Sequence, residues 1–134
     1  MTDDATIERL LAAETWAVVG LRDNPARPAY GVARMLQARG KRIVPVHQHP
    51  QVVFGEKPYA TLADIPFPVD CVDVFRRSAS AGQFADQAVA IGAKAVWFQL
   101  DVIDDEAYAR VVAAGIDMVM DRCPAIEWAA NGPR

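Results

Sequence analysis

The chain predicts an α/β fold, a Rossmann-like, doubly wound, mainly parallel sheet of five to six strands with helices on both faces. Three observations carry this. Apolar, strand-like runs alternate with helix-period patterns along the whole length. A helix–Gly–strand unit occurs three times, at Gly40, Gly92 and Gly115. A buried-looking strand, Thr15-Trp16-Ala17-Val18-Val19-Gly20, stops on glycine and leads through a loop into a helix.

The elements follow in order. Residues 6–14 form a helix with Ile7, Leu10 and Leu11 on one face, and strand 15–20 comes next. Residues 30–39 are helical, with Val32, Met35 and Leu36 at i, i+3, i+4 spacing, and Gly40 stands where a left-handed C-cap is wanted. Arg42-Ile43-Val44-Pro45-Val46 is a strand in which Pro45, lacking an N–H, must face no acceptor. A polar, turn-rich stretch covers 47–58, and Pro58-Tyr59-Ala60 is a short edge strand. Thr61-Leu62-Ala63-Asp64 has the spacing of an N-cap followed by an acid, which predicts a single helical turn.

The strand Asp70-Cys71-Val72-Asp73-Val74-Phe75 precedes a helix capped by Ser78 or Ser80 and running to Ile91, with Ala81, Phe84, Ala85 and Ala88 inward and Gly92 ending it. Ala95-Val96-Trp97-Phe98 is the next strand. Asp104-Asp105-Glu106 put acid in the first turn of a helix that buries Ala107, Tyr108, Val111 and Val112 and ends at Gly115. Residues 116–120 form the last strand. Right-handed crossovers give the order 3-2-1-4-5-6, with 59–60 as the short third strand. No composition break divides 1–134, so one domain is expected, with an irregular tail over 128–134.

Composition narrows the function. No apolar run is long enough to span a bilayer, and Met1-Thr2-Asp3-Asp4 lacks the basic start of a signal peptide. Cys71 and Cys123 do not make a disulfide framework, so they read as reduced thiols and the protein as cytoplasmic. A formal net charge of −3 argues against a nucleic-acid binder, yet a local arginine cluster on an acidic protein can still focus a small anion.

Such a cluster is predicted. In a doubly wound sheet, ligands bind at the carboxyl ends of the strands, where the order reverses. That crevice lies between the first strand and the strand at 70–75. One of its loops carries Arg22 and Arg27, and the other, Phe75-Arg76-Arg77-Ser78, adds two more arginines. Each loop ends at a helix N-terminus, whose free N–H groups and dipole favour anions. Arginine suits phosphate because its fork donates two parallel bonds.

The phosphate ligand is then narrowed by what is missing. No Lys-Ser/Thr follows Gly20, and Gly20-Leu21-Arg22-Asp23-Asn24-Pro25 is not a G-x-G-x-x-G turn. Where an NAD site wants Asp or Glu, the second strand ends in Val46-His47-Gln48-His49. A ligand with a pyrophosphate and a ribose phosphate fits, and both NADP and coenzyme A qualify.

These residues also resemble a known family. Val18-Val19-Gly20-Leu21, Pro25, Pro28, Tyr30-Gly31-Val32, Ile43-Val44-Pro45-Val46, Gly55-Glu56-Lys57, Val72 through Ser78, Ala93 through Gln99 and Val119 through Pro124 are similar to the small, stand-alone bacterial CoA-binding domain proteins. The resemblance covers about residues 10–127 and extends to the CoA-binding domain of the succinyl-CoA synthetase α subunit. It implies that the loop from Gly20 through Leu21, Arg22 and Arg27 to Tyr30, Gly31 and Val32 wraps the CoA phosphates. It implies that Pro45 to His47 lies by the adenosine, and that Phe75, Arg76, Arg77, Ser78 and Gln99 lie along the ligand's path. It implies no reaction. The chain departs from the family pattern at His47-Gln48-His49-Pro50, where Asn-Pro is usual, and at Asp101.

Other candidates read as structural. His47 and His49 have no nearby cysteine or carboxylate to complete a metal site, so no metal is expected. Cys71 is core packing, and Cys123 is a structural thiol beyond the last strand, where a mixed disulfide with CoA is the alternative. Trp16, Trp97 and Phe98 are core residues, and Trp128 packs on its own sheet rather than docking a partner. The function expected is binding of coenzyme A or acyl-CoA without catalysis. The alternatives are an NADP-linked oxidoreductase and a ligand-free interaction or regulatory subunit, and a homo-oligomer or protein partner stays open.

Overall fold

A computed structural model describes residues 4–132. In chain order the elements are α1 (Asp4–Leu11), β1 (Thr15–Val19), α2 (Pro28–Ala38), β2 (Arg42–Val46), a 3-10 turn (Leu62–Asp64), β3 (Cys71–Val74), α3 (Ser78–Ala90), β4 (Ala95–Phe98), α4 (Asp105–Ala113), β5 (Asp117–Val119) and α5 (Pro124–Asn131). The strands are all parallel and ordered β2-β1-β3-β4-β5. This is the doubly wound sheet expected, with β1 and β3 flanking the reversal.

Both faces of the sheet are buried, so the strands are nearly continuous apolar runs. Trp16, Val18, Ile43, Cys71 and Trp97 pack under α1, α2 and α5. Ala17, Val19, Val44, Val72, Val74 and Phe98 pack under α3 and α4. The Trp16 and Trp97 rings lie 5.9 Å apart across the sheet. Ile7, Leu10 and Leu11 are buried, as the spacing of the first helix predicts. Gly40, Gly92 and Gly115 all take positive φ just past a helix.

The structure departs from the expected elements at several places, beginning with α1, which stops at Leu11 and not at residue 14. Residues 58–60 do not form a strand. Tyr59 makes one parallel bridge to Val46, donating to the Pro45 carbonyl at 2.9 Å and accepting from the His47 N–H at 3.1 Å. The ladder stops there because the next bond would need an N–H on Pro45. Residues 128–134 are not an irregular tail as far as they are described, since α5 runs to Asn131; Pro133 and Arg134 lie outside the described residues. Pro124 occupies the first turn of that helix, and Pro28 does the same for α2, which therefore starts before residue 30. Val112 is exposed, not inward. Thr61 and Ser78 do not act as side-chain caps: Thr61 makes no capping bond, and Ser78 lies inside α3, whose N-cap is Arg77. Asp104 does cap, its Oδ1 accepting the Ala107 N–H at 3.0 Å.

Candidate functional site

The carboxyl ends of β1, β2, β3 and β4 are tied into one floor by ladder bonds that continue past the strands. Gly20 donates to the Val46 carbonyl at 2.8 Å, Phe75 to Val19 at 2.9 Å and Gln99 to Val74 at 3.3 Å. Gly20 has φ +100°, and a Cβ there would stand 2.6 Å from the Phe75 carbonyl oxygen. Only glycine fits, because the left-handed backbone and the close approach exclude a side chain together.

Above this floor lies a crevice with two lobes. The larger, of about 680 Å³, is lined by Gly20, Arg22, Asn24, Pro28, Ala29 and Gln51 on one side and Gln99, Leu100, Asp101 and Val102 on the other. The smaller, of about 510 Å³, is lined by Val46, Gln48, Ala60, Ser80, Gln83 and Phe84. Arg27, His47, Phe75, Arg76 and Arg77 line both lobes and form the bar between them.

The loop from Arg22 to Arg27 holds itself in place. The Asn24 N–H donates to the Arg22 carbonyl at 2.8 Å, Asn24 Oδ1 accepts the Ala26 N–H at 3.1 Å, and Gln51 Oε1 accepts the Asp23 N–H at 3.1 Å. The opposite loop is fastened at two points. Ser78 Oγ donates to the Asp101 carbonyl at 3.3 Å and accepts the Ile103 N–H at 2.9 Å. The Asp101 N–H donates to Asp121 Oδ1 at 2.7 Å. Asp101 and Asp121 both sit in left-handed backbone, at φ +70° and +59°. Strain of this kind is retained where neighbours over-determine it, commonly around binding sites.

The crevice holds four arginines against two aspartates, Asp23 and Asp101. Arg22, Arg27, Arg76 and Arg77 all line it, and none joins an ion pair among the described residues. Burial, then the Arg76 and Arg22 guanidiniums, hold the His47 imidazole below its ordinary value. Its Nδ1 accepts the His49 N–H at 3.0 Å, which leaves the proton of the neutral ring on Nε2. Arg22 Nε and Gln99 Oε1 are buried with no hydrogen-bond partner among the described residues.

Of the residues expected to bind, Gly20, Arg22, Arg27, His47, Phe75, Arg76, Arg77 and Gln99 line the crevice. The others are placed elsewhere. Leu21 and Val32 are core residues, and Pro45 is buried within β2. The Tyr30 ring packs tilted against Phe54, with centroids 4.6 Å apart, and Gly31 is exposed with open space around it. The Tyr30 N–H is spent on the Arg27 carbonyl at 3.1 Å, and the Gly20 N–H on Val46. Neither can serve a phosphate. One donor left open at the start of α2 is the Ala29 N–H, which has no acceptor among the described residues and belongs to a residue lining the larger lobe. Ser78 fastens a loop instead of facing ligand.

Sequence reasoning missed Gln51, Asn24 and Asp73. The first two follow recognisable loop signals, but only folding brings Gln51 back onto Asp23. Asp73 pairs in register with Val18 and Trp97 at the centre of the sheet, is fully buried, and has no hydrogen-bond partner among the described residues for either carboxylate oxygen. Burial pushes its carboxyl well above the usual range. No group of three or more His, Cys, Asp or Glu among the described residues could hold a metal. Cys71 is buried, and Cys123 is half-buried at the N-cap of α5.

A family model described as CoA binding domain matches residues 14–129. The chain belongs to the CoA binding domain family. Membership supports a CoA-related binding role and agrees with a crevice of unpaired arginines. Among the relatives of this CoA binding domain protein is the uncharacterized protein YneT of Bacillus subtilis (strain 168). It is 34% identical over 116 residues, covering 87% of this chain and 86% of YneT. A hypothetical protein from Pyrococcus horikoshii OT3 has a solved structure with a TM-score of 0.91 and 31% identity, over 97% of this chain and 92% of that one. The dinucleotide forming acetyl-coenzyme A synthetase 1 of Ca. Korarchaeum cryptofilum is similar at 20% identity and a TM-score of 0.73, over 86% of this chain and 27% of that one. At that identity the likeness concerns the fold alone.

Proposed function

We propose that this protein binds coenzyme A or acyl-CoA in the two-lobed crevice and carries out no catalysis of its own. The observation that carries the reading is the bar of Arg27, Arg76 and Arg77, with Arg22 beside it, none of them paired to a carboxylate among the described residues. Guanidinium groups left unneutralised around one cavity await a multiply charged anion. The pyrophosphate lies against this bar and the start of α2, and the adenosine lies by His47 and Gln48 at the end of β2. That strand end carries no acid to repel a ribose phosphate.

The non-catalytic half of the reading rests on the hydrogen bonds. Among the described residues none joins a nucleophile to a base in the crevice: His47 Nδ1 accepts from a backbone N–H, and the Ser78 hydroxyl is committed to loop 101–103. The two free thiols fit a reducing cytoplasm. Thermal shift with CoA, dephospho-CoA, NADP and NAD tests the assignment. CoA should stabilise most and dephospho-CoA less. Stabilisation by NADP with none from millimolar CoA would instead support an NADP-linked oxidoreductase.

A further inference from the structure

We propose that His47 takes up a proton when a polyanionic ligand enters the crevice, so that CoA binding and the charging of this imidazole favour each other. This deepens the CoA reading and rests on it. His47 is half-buried and lines both lobes, within the bar of Arg27, Arg76 and Arg77. Its backbone is fixed at the end of β2, because the His47 N–H donates to the Tyr59 carbonyl at 3.1 Å. The ring is neutral in this arrangement. Its Nδ1 accepts the His49 N–H at 3.0 Å, and a protonated Nδ1 has no lone pair to do so.

The groups around the imidazole keep it neutral and make it responsive to an anion. Arg22 and Arg27 come from the loop after β1, and Arg76 and Arg77 from the loop after β3. His49 adds a second imidazole from the same loop, its ring centroid 5.9 Å away, and Asp23 and Asp101 line the larger lobe. Burial, then Arg76, Arg22 and His49, hold the His47 ring below its ordinary value. Like charges disfavour the imidazolium, and a phosphate set among them reverses that field. Protonation at Nδ1 also releases the His49 N–H, which becomes a further donor for the anion. The coupling is reciprocal: what the ligand adds to the proton's affinity, the proton adds to the ligand's. CoA therefore binds more tightly at low pH, and the gain is lost as pH rises through the raised midpoint of the liganded ring.

The chain has two histidines, so proton NMR of the full chain follows two imidazole titrations, and the one missing from His47→Asn is that of His47. Asparagine keeps a side-chain acceptor for the His49 N–H but cannot charge. Saturating CoA should raise the His47 midpoint by about one pH unit or more, the size expected of an opposite charge close by. In titration calorimetry, the CoA affinity of wild type relative to His47→Asn should fall about tenfold between about pH 5 and pH 8.5. Taking the ratio cancels the proton that the ligand's own phosphate exchanges near about pH 6. If CoA bound and neither histidine midpoint moved, the proposal would be overturned without any variant, with the CoA reading left intact. A ratio independent of pH would overturn it too. Failure of CoA to bind at all would remove the CoA reading itself, and this inference with it.

Discussion

The two ends of the sheet treat charge in opposite ways. At the amino ends of the strands, charges are matched locally. Arg9 forks onto both oxygens of Asp117 at 2.8 and 3.0 Å. Asp70 accepts the Thr15 N–H at 3.0 Å and faces Lys94 at 3.6 Å. A cavity of about 440 Å³ lies there as well, and these paired groups line it. At the carboxyl ends, among the described residues, four arginines line a larger crevice without an ion pair, and two buried polar atoms beside them lack hydrogen-bond partners. A hole in the surface is therefore not what marks a site. Unmet electrostatic demand marks it, and it occurs where parallel strands end and helices begin.

The comparison is broken most severely by emptying the crevice of charge. Arg76→Ala with Arg77→Ala should weaken CoA by roughly 100- to 10,000-fold in titration, as charge-assisted bonds are each worth about 1.5–3 kcal/mol. A loss below tenfold would return these arginines to ordinary surface charge. Next in size is Gly20→Ala. The forced Cβ and the left-handed backbone should cost about 2–4 kcal/mol in denaturant unfolding and distort the floor of the crevice.

Asp73→Asn tests the buried carboxyl beneath that floor. Its value is raised on folding, so the folded state holds the proton more tightly than the unfolded chain. Its contribution to stability is therefore greatest below the ordinary carboxylate value near about 4 and is lost as pH rises through the raised value. Asparagine is neutral throughout. Tm measured from pH 4 to 8 should show the variant gaining on wild type as pH rises, by about 1 kcal/mol or more at the upper end. A constant difference would mean that Asp73 does not titrate differently on folding. The smallest effect is expected at the amino end. Arg9→Ala should cost about 1 kcal/mol or less, because the pair with Asp117 is largely exposed, and should leave CoA affinity unchanged.

Most of the fold was legible because its signals are local. Apolar runs of four or five residues between helical patterns mark strands covered on both faces, and glycines past helix ends mark the turns back into the sheet. The arginines of the two loops were legible by type, and the doubly wound order places both loops at one crevice. Three features were not. Residues from 128 on read as an irregular tail, but Pro124 opens a helix, α5, that runs to Asn131, since proline is at home in the first turn of a helix. Residues 58–60 look strand-like, but Pro45 on the neighbouring strand removes the donor their ladder needs. Asp73 sits in the same apolar alternation whether its carboxyl is solvated or entombed, and only burial distinguishes the two.

Residue chemistry along the chain was enough to determine a parallel α/β sheet, a glycine-ended first strand and four arginines in two loops, because each follows from periodicity, backbone freedom or side-chain type. Which backbone amides remain free was decided only in three dimensions. Packing spent the Gly20 and Tyr30 N–H groups on carbonyls, left Ala29 open, and folded Gln51 back to hold the arginine loop. Hydrogen-bond satisfaction is a property of neighbours in space, and it was this that turned a basic loop into a crevice with specific unmet donors and acceptors.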